Sequence, residues 1–347
     1  MYGFGIIGCG MISGFHARAI AALPNAELRS VQSRSEDNAR RVADEHDCEW
    51  ATDLDRVLGR DDIDVVTVCT PSGAHMEPVI AAAKAGKHVI VEKPLDISLA
   101  RCDAMIDACE EAGVQLGGVF QSRFHETSAL IRETVDSGRF GRLTLADATV
   151  KWWRDQAYYD DGGWKGTQAL DGGGALMNQA IHAIDLLQWL MGPVREIAAF
   201  TDTLAHERID VEDTAVACTR FENGALGVIE GATSVHPGFL KKLEISGDKG
   251  SIILQEEDLT CWQFEDENAD DDRIREEFAA RTTTGGGASD PTAISFEGHR
   301  RQFGVFLKAL DDGDPTPLDG REARKAVEII LAIYQAAENR SVVSLPL

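Results

Sequence analysis

The residues that could do chemistry gather first at the amino end, in "GFGIIGCGMISGFH" over 3–16. An apolar strand running into Gly8-Cys9-Gly10 brings backbone N–H groups and a helix N-terminus towards a pyrophosphate. Gly8 permits the tight turn, Gly10 permits close approach, and Met11 and Ile12 lead into the helix. Ser13 stands where G-x-G-x-x-G asks for its third glycine, a position that needs only a small side chain for the helix to pack. The end of the second strand, "SVQSRSED" (30–37), lacks the carboxylate that holds the ribose hydroxyls of NAD. Ser33 and Arg34 offer a hydroxyl and a guanidinium instead, which suit a 2′-phosphate and favour NADP, with NAD as the alternative. The bland reading is that Arg34 begins a solvated helix face with Arg40 and Arg41. Further on, "KWWRDQAYYDDGGWKG" (151–166) holds three Trp and two Tyr. Rings of this kind pack against the C–H faces of sugars, which makes Tyr158, Tyr159 and Trp164 candidate substrate contacts. Edge packing or a subunit interface explains them equally well. Arg154 and Lys165 could meet a carboxylate or phosphate on a substrate.

These groups need elements to position them. Over the first 120 residues, short apolar runs at 2–8, 26–33, 64–70, 88–92 and 114–120 alternate with helical patterns at 11–23, 35–46, 75–85 and 99–112. That alternation predicts a parallel βαβ sheet, an α/β Rossmann domain over 1–122. Beyond it, alternating strands are expected at 142–152, 195–204, 213–221, 224–234, 240–246 and 250–255, joined by turns such as "ENGA" and "GDKG". They predict an α+β domain over 123–347 with a mostly antiparallel open sheet, for substrate binding and oligomerisation. Helices are expected at 125–136, 174–191, 295–311 and 321–339, the last of which could pack back on the first domain. The acidic, Gly-rich stretch 265–291 reads as a solvated loop or a lid.

Composition narrows the partners. The 347 residues carry 34 basic and 58 acidic side chains, a net charge of −24, which disfavours nucleic acid and anionic membranes. Such a surface fits either a merely soluble protein or one adapted to high salt. No apolar run approaches the roughly 20 residues of a membrane span. The chain starts directly in a strand, without a signal-peptide pattern. Seven cysteines, odd in number and without a CxxC, argue for a reducing compartment, against a zinc site, and for a cytoplasmic location.

Four motifs then occur in order: "GCGMISGFH" with His16 after the turn, "TPSGAH" (70–75), "GKHVIVEKPL" (86–95) and "LDGGGALMNQAIHAIDLL" (170–187). Together, over essentially the whole chain, they resemble the glucose–fructose oxidoreductase, inositol dehydrogenase and rhizopine catabolism (Gfo/Idh/MocA) family. The resemblance implies an NAD(P)-dependent dehydrogenase or reductase acting on CH–OH groups. A nicotinamide cofactor would be held by the first domain, and a sugar, cyclitol or sugar derivative would lie between the domains. Cofactor contacts are implied at Thr70, Pro71, His75, Glu92 and Lys93, beside Gly8, Gly10, Met11, Ile12, Ser33 and Arg34. Lys93 matches the lysine of the Glu-Lys-Pro motif that points at the nicotinamide, and His182 matches the histidine of the second domain. Asn178 departs from the family, since many members have Asp there. A homodimer or homotetramer through the open sheet is the family expectation.

Oxidising a carbinol carbon needs an acceptor for the hydroxyl proton. Lys93 beside a cationic ring should lose its proton more readily than usual, while His182 titrates nearer neutrality. Both therefore stand as proton acceptors. Asn178, four residues before His182, is expected to share its helix face and bind the same substrate. Asp185 either orients His182 or solvates the helix, and Gly172 to Gly174 let the chain approach the cofactor. Two other readings are a redox-assisted glycosidase or elimination enzyme with a tightly bound cofactor, and a non-catalytic nucleotide sensor. The presence of both Lys93 and His182 argues against the sensor.

Overall fold

The computed structural model describes residues 1–160, 163–282 and 295–347. They form two compact units. The first comprises Met1–Gln121 with Ser295–Val327, and the second comprises 122–282 with 328–347.

The first unit is built on six strands: β1 (Tyr2–Ile7), β2 (Ala26–Gln32), β3 (Glu49–Ala51), β4 (Val65–Val68), β5 (His88–Val91) and β6 (Leu116–Gly118). Their order is β3-β2-β1-β4-β5-β6, and every pair is parallel. That order reverses direction between β1 and β4, which is where a doubly wound sheet opens its ligand crevice at the strands' carboxyl ends. β4 is buried at all four positions, as a strand covered by helices on both faces must be. The crossover helices start where local chemistry caps them. Ser35 accepts Asn38 N–H before Glu36–His46, and Ser98 accepts Arg101 N–H before Leu99–Ala112.

The sequence boundary gave 123–347 to the second domain, with only the last helix free to pack back, whereas the helix Glu297–Asp312 belongs to the first unit. The cause is its apolar stripe, since Phe303, Phe306 and Leu307 pack with Phe4, Ile6, Ala17 and Ile20 in one buried cluster. The strand β3 and the helix Leu54–Leu58 had no clear pattern and were not anticipated.

The second unit is an eight-stranded sheet of β7 (Leu143–Lys151), β8 (Val194–Asp202), β9 (Thr214–Phe221), β10 (Leu226–Ala232), β11 (Lys242–Gly247), β12 (Gly250–Gln255), β13 (Asp258–Phe264) and β14 (Val343–Ser344). Its order is β13-β12-β11-β7-β10-β9-β8-β14, antiparallel except for β7 with β10. β9 alternates buried and exposed positions, so one face of the sheet meets the core and the other faces solvent. The helix expected at 174–191 is two pieces: a π-helix, Ala175–Ala180, continuing into the α-helix Ile181–Met191. Within the stretch expected to be a loop, Asp271–Glu277 is helical and Asp271 binds Arg139 and the Trp262 indole. Residues 283–291 of that stretch, and with them the lid reading, lie outside the described residues.

Candidate active site

The glycine turn sits at the carboxyl end of β1. Gly8 has φ +98°, and a Cβ there would lie 2.7 Å from the Cys69 carbonyl, so only glycine fits. A Cβ on Gly10, by contrast, would meet no atom within 4 Å. The protein leaves that side of the turn open, which is the cradle a pyrophosphate requires. Ser13 is buried and its hydroxyl donates to the Gly10 carbonyl at 2.6 Å. The replacement for the third glycine therefore fastens the turn. Ile12 caps the helix Ser13–Ala21 without a side-chain hydrogen bond, and Met11 is exposed beside it.

At the end of β2, Ser33 Oγ accepts the nearby Ser35 N–H at 3.2 Å. Of the three arginines, Arg40 pairs with Glu36 and lies over Trp50, and Arg41 donates to the Cys9 carbonyl at 3.3 Å. Arg34 is exposed and, among the described residues, engaged by no ion pair or hydrogen bond. The Arg41 bond to the turn was not foreseen.

Lys93 follows β5 at the same edge of the sheet, and the turn it opens is held on both sides. Glu92 Oε2 accepts the Lys93 backbone N–H at 3.0 Å. His75, expected at the cofactor, is buried with Nδ1 3.0 Å from the Pro94 carbonyl and Nε2 3.0 Å from the Thr70 carbonyl. Both nitrogens thus face backbone carbonyls, to one of which a neutral ring donates, and burial lowers the pKa of the ring. His75 braces two loops rather than presenting a free nitrogen. Thr70 Oγ1 donates to the Ala74 carbonyl at 2.9 Å, and Pro71 starts the 3₁₀ turn Ser72–Ala74. Glu92 is buried as well, against His16 and His299. His299 lies more than 200 residues from Glu92 in sequence, and nothing local announced it.

In the second unit, the π-helix gives 174–182 a wider turn than the α-helix on which the shared face of Asn178 and His182 was argued. Asn178 and His182 are both half-buried. Asn178 Nδ2 donates to Asp171 Oδ1 at 2.8 Å, and Asp171 Oδ2 accepts Gly166 N–H. A carboxylate therefore stands against Asn178 although none is present at 178. Its signal was the Asp that opens "DGGG". The N-terminus of the π-helix is capped by Glu212, whose oxygens accept Gly174 and Leu176 N–H at 2.8 Å and the Tyr334 hydroxyl at 3.0 Å. Burial pushes the Glu212 carboxyl up to about 7, against those three bonds. A Cβ on Gly174 would collide with the Glu212 carbonyl. That glycine admits Glu212, a role different from the cofactor approach expected of it.

The aromatic stretch divides. Tyr159 is buried with its hydroxyl 2.7 Å from Thr233 Oγ1 and its ring edge-on to His206, so it is core and not the substrate contact expected. Tyr158 is half-buried, its hydroxyl accepts Gln179 Nε2 at 2.9 Å, and the Lys165 ammonium lies 3.8 Å from its ring centre. Arg154 is buried and donates to Gln179 Oε1 at 3.4 Å, while Trp164 is half-buried. Asp185 is fully buried in a bidentate pair with Arg123, at 2.6 and 2.7 Å.

With this geometry in view, two family matches account for most of the chain. Residues 2–119 match the oxidoreductase family with an NAD-binding Rossmann fold, and 129–253 match the GFO/IDH/MocA C-terminal domain. The chain belongs to the Gfo/Idh/MocA oxidoreductases. It is an NAD(P)-dependent dehydrogenase or reductase of CH–OH groups. Myo-inositol 2-dehydrogenase of Thermotoga maritima is 30% identical, over 98% of both chains. Levoglucosan dehydrogenase of Pseudarthrobacter phenanthrenivorans is 29% identical over 73% of each. Among solved structures, the WlbA dehydrogenase of Bordetella pertussis, in complex with NADH and UDP-GlcNAcA, superposes with a TM-score of 0.89. It shares 34% identity and covers 99% of this chain and 97% of its own. Among the described residues no helix is long and apolar enough to cross a membrane.

Proposed function

We propose that this oxidoreductase moves a hydride between a nicotinamide cofactor, NADP in preference to NAD, and a hydroxyl-bearing carbon of a sugar, cyclitol or sugar derivative. The observation that carries the reading is the placement of Lys93. It follows β5 at the carboxyl edge that also holds the Gly8–Gly10 turn, beside the point where the sheet order reverses. The open side of Gly10 fits the pyrophosphate, with Met11 and Ile12 at the helix start. Ser33 and Arg34 take the adenosine ribose and its 2′-phosphate. Thr70 and Pro71 line the cofactor, and His75 and Glu92 act through the loops they brace.

The bound nicotinamide supplies or accepts the hydride. Lys93 holds the reacting oxygen and takes or returns its proton, with His182 as the partner base. Asn178, steadied by Asp171, donates to or accepts from a substrate hydroxyl, and Tyr158 and Trp164 offer ring faces. The names of the relatives support polyol and sugar substrates, and the complex with a nucleotide-linked sugar widens the class to sugar nucleotides. The solvent-facing side of the second sheet, with Leu145, Phe200, Val216 and Leu226 exposed, is the proposed homo-oligomer surface.

The test is a panel of free sugars, cyclitols and sugar nucleotides, each assayed with NAD and NADP for net change in reduced nicotinamide. One class is expected to turn over, and Lys93→Ala should lower kcat by about 10²–10⁴-fold. Conversion of a glycoside without net cofactor change would replace this reading with redox-assisted elimination.

A further inference from the structure

Beneath the Lys93 turn lies a polar cluster for which cofactor binding has no direct use. His16, Glu92 and His299 are 0%, 6% and 1% exposed, and charged groups are rarely so buried unless they are paired. Glu92 Oε1 lies 2.9 Å from His16 Nε2 and 3.4 Å from His299 Nε2. Oε2 is left for the Lys93 backbone N–H at 3.0 Å. His16 Nδ1 lies 3.3 Å from Cys69 Sγ. One carboxylate thereby ties together the helix after β1, the residue following β4, the end of β5 and the helix Glu297–Asp312.

The protonation pattern follows from the donors available. Burial works to raise the Glu92 carboxyl, but the hydrogen bond with His16 and the nearby His299 ring outweigh it and hold the group well below the ordinary range. An ionised carboxylate only accepts, so His16 Nε2 donates to it. Burial keeps His16 neutral, so its Nδ1 accepts from the Cys69 thiol, which burial holds protonated. The rings of Phe15 and Phe303 close the cluster against water. Apolar side chains could fill this space without the cost of desolvating a charge. Packing alone does not call for a carboxylate here. The Lys93 N–H does.

We propose that Glu92, bonded by His16 and flanked by His299, is a positioning residue that fixes the main chain of Lys93 for hydride transfer. The proposal rests on the assignment of Lys93 to the reacting oxygen. Glu92 sets the start of the turn and His75 holds its far side through the Pro94 and Leu95 carbonyls, so the lysine stem leaves from a bracketed backbone.

The experiment compares Glu92→Leu, Glu92→Gln, His299→Leu and Lys93→Ala in the full chain. It reads kcat, the dissociation constant for NADPH and the thermal midpoint. Glu92→Leu is expected to lower kcat about 10²-fold, the scale of a small misplacement, with the NADPH constant changed less than about threefold. Glu92→Gln, which keeps an oxygen for the Lys93 N–H, should recover most of kcat. His299→Leu, which frees the Glu92 rotamer, should cost several-fold. If Lys93→Ala abolishes turnover while Glu92→Leu and His299→Leu retain full kcat, the positioning role falls and the role of Lys93 stands. If Lys93→Ala itself turns over normally, the assignment of Lys93 fails first. Should Glu92→Leu not fold, an unchanged kcat in both His299→Leu and His16→Leu overturns the proposal. The three side chains also bring possible ligand atoms within 4.8 Å of one another. Stoichiometric zinc in the purified protein, lost to chelator together with activity, would make them ligands and overturn it too.

Discussion

Gly8 and Gly10 are two residues apart and are glycine for different reasons. At Gly8 the backbone is left-handed and a side chain would strike the chain after β4. Gly8→Ala should destabilise the fold by about 3 kcal/mol or more, read by urea unfolding. At Gly10 the protein leaves room, so Gly10→Ala should keep stability within about 1 kcal/mol while raising the dissociation constant of the nicotinamide cofactor at least about tenfold. Equal behaviour of the two variants would remove the distinction. Arg34 is the free cation at the end of β2 among the described residues. A charge-assisted bond to a phosphate contributes about 1.5–3 kcal/mol, so Arg34→Ala should cut the ratio of kcat/KM for NADP over NAD by roughly 10–100-fold. An unchanged ratio would return the cofactor preference to NAD.

The candidate catalytic helix depends on Glu212 more than its own sequence discloses. Burial pushes that carboxyl from 4.5 to about 7, so the folded protein keeps a proton that the unfolded chain has already released. Stability on this account is complete below pH ~4.5 and declines by about 3 kcal/mol as pH rises through ~7. Glu212→Gln has no such proton. Its unfolding free energy, measured at pH 5 and pH 7.5, should fall less between the two than that of the natural chain, and parallel profiles would discard the explanation. The same helix shows where sequence reasoning stops. The apolar pattern over 174–191 announced a helix because periodicity is local. Its cap, Glu212, arrives from 38 residues away, and Glu92 meets His299 from more than 200 residues away. The glycine turn, Lys93 and the alternating strands were legible because strand–turn–helix chemistry and period-two burial are written in neighbouring residues. Asp171 was close enough to be found, seven residues before Asn178, but an Asp before glycines reads as an ordinary turn. β3 escaped because it has three residues, two of them exposed.

At the scale of the molecule, the outer face of the second sheet leaves apolar surface uncovered. Phe200 is 81% exposed and pairs across strands with Val216, and Leu226 pairs with Leu145. Lone exposed apolar residues are common on a soluble surface; here two cross-strand pairs share the outer face, offset by four residues because Leu226 pairs with Arg220 and Val216 with Glu230, and they suit the proposed association surface. Phe200→Asp combined with Leu226→Asp should leave a folded monomer by light scattering, and an oligomer of unchanged mass would move the interface elsewhere. The winding of the chain has a different consequence, for synthesis. Phe303, Phe306 and Leu307 complete a core begun by Phe4 and Ile6, and burying three such side chains is worth roughly 5–9 kcal/mol. That is comparable with the entire stability of a typical domain, about 5–15 kcal/mol. A ribosome adding roughly 5–20 residues per second must therefore finish the long middle segment before the first unit can close. The nascent first unit therefore lacks these core side chains for on the order of ten seconds or more after its sheet has been made.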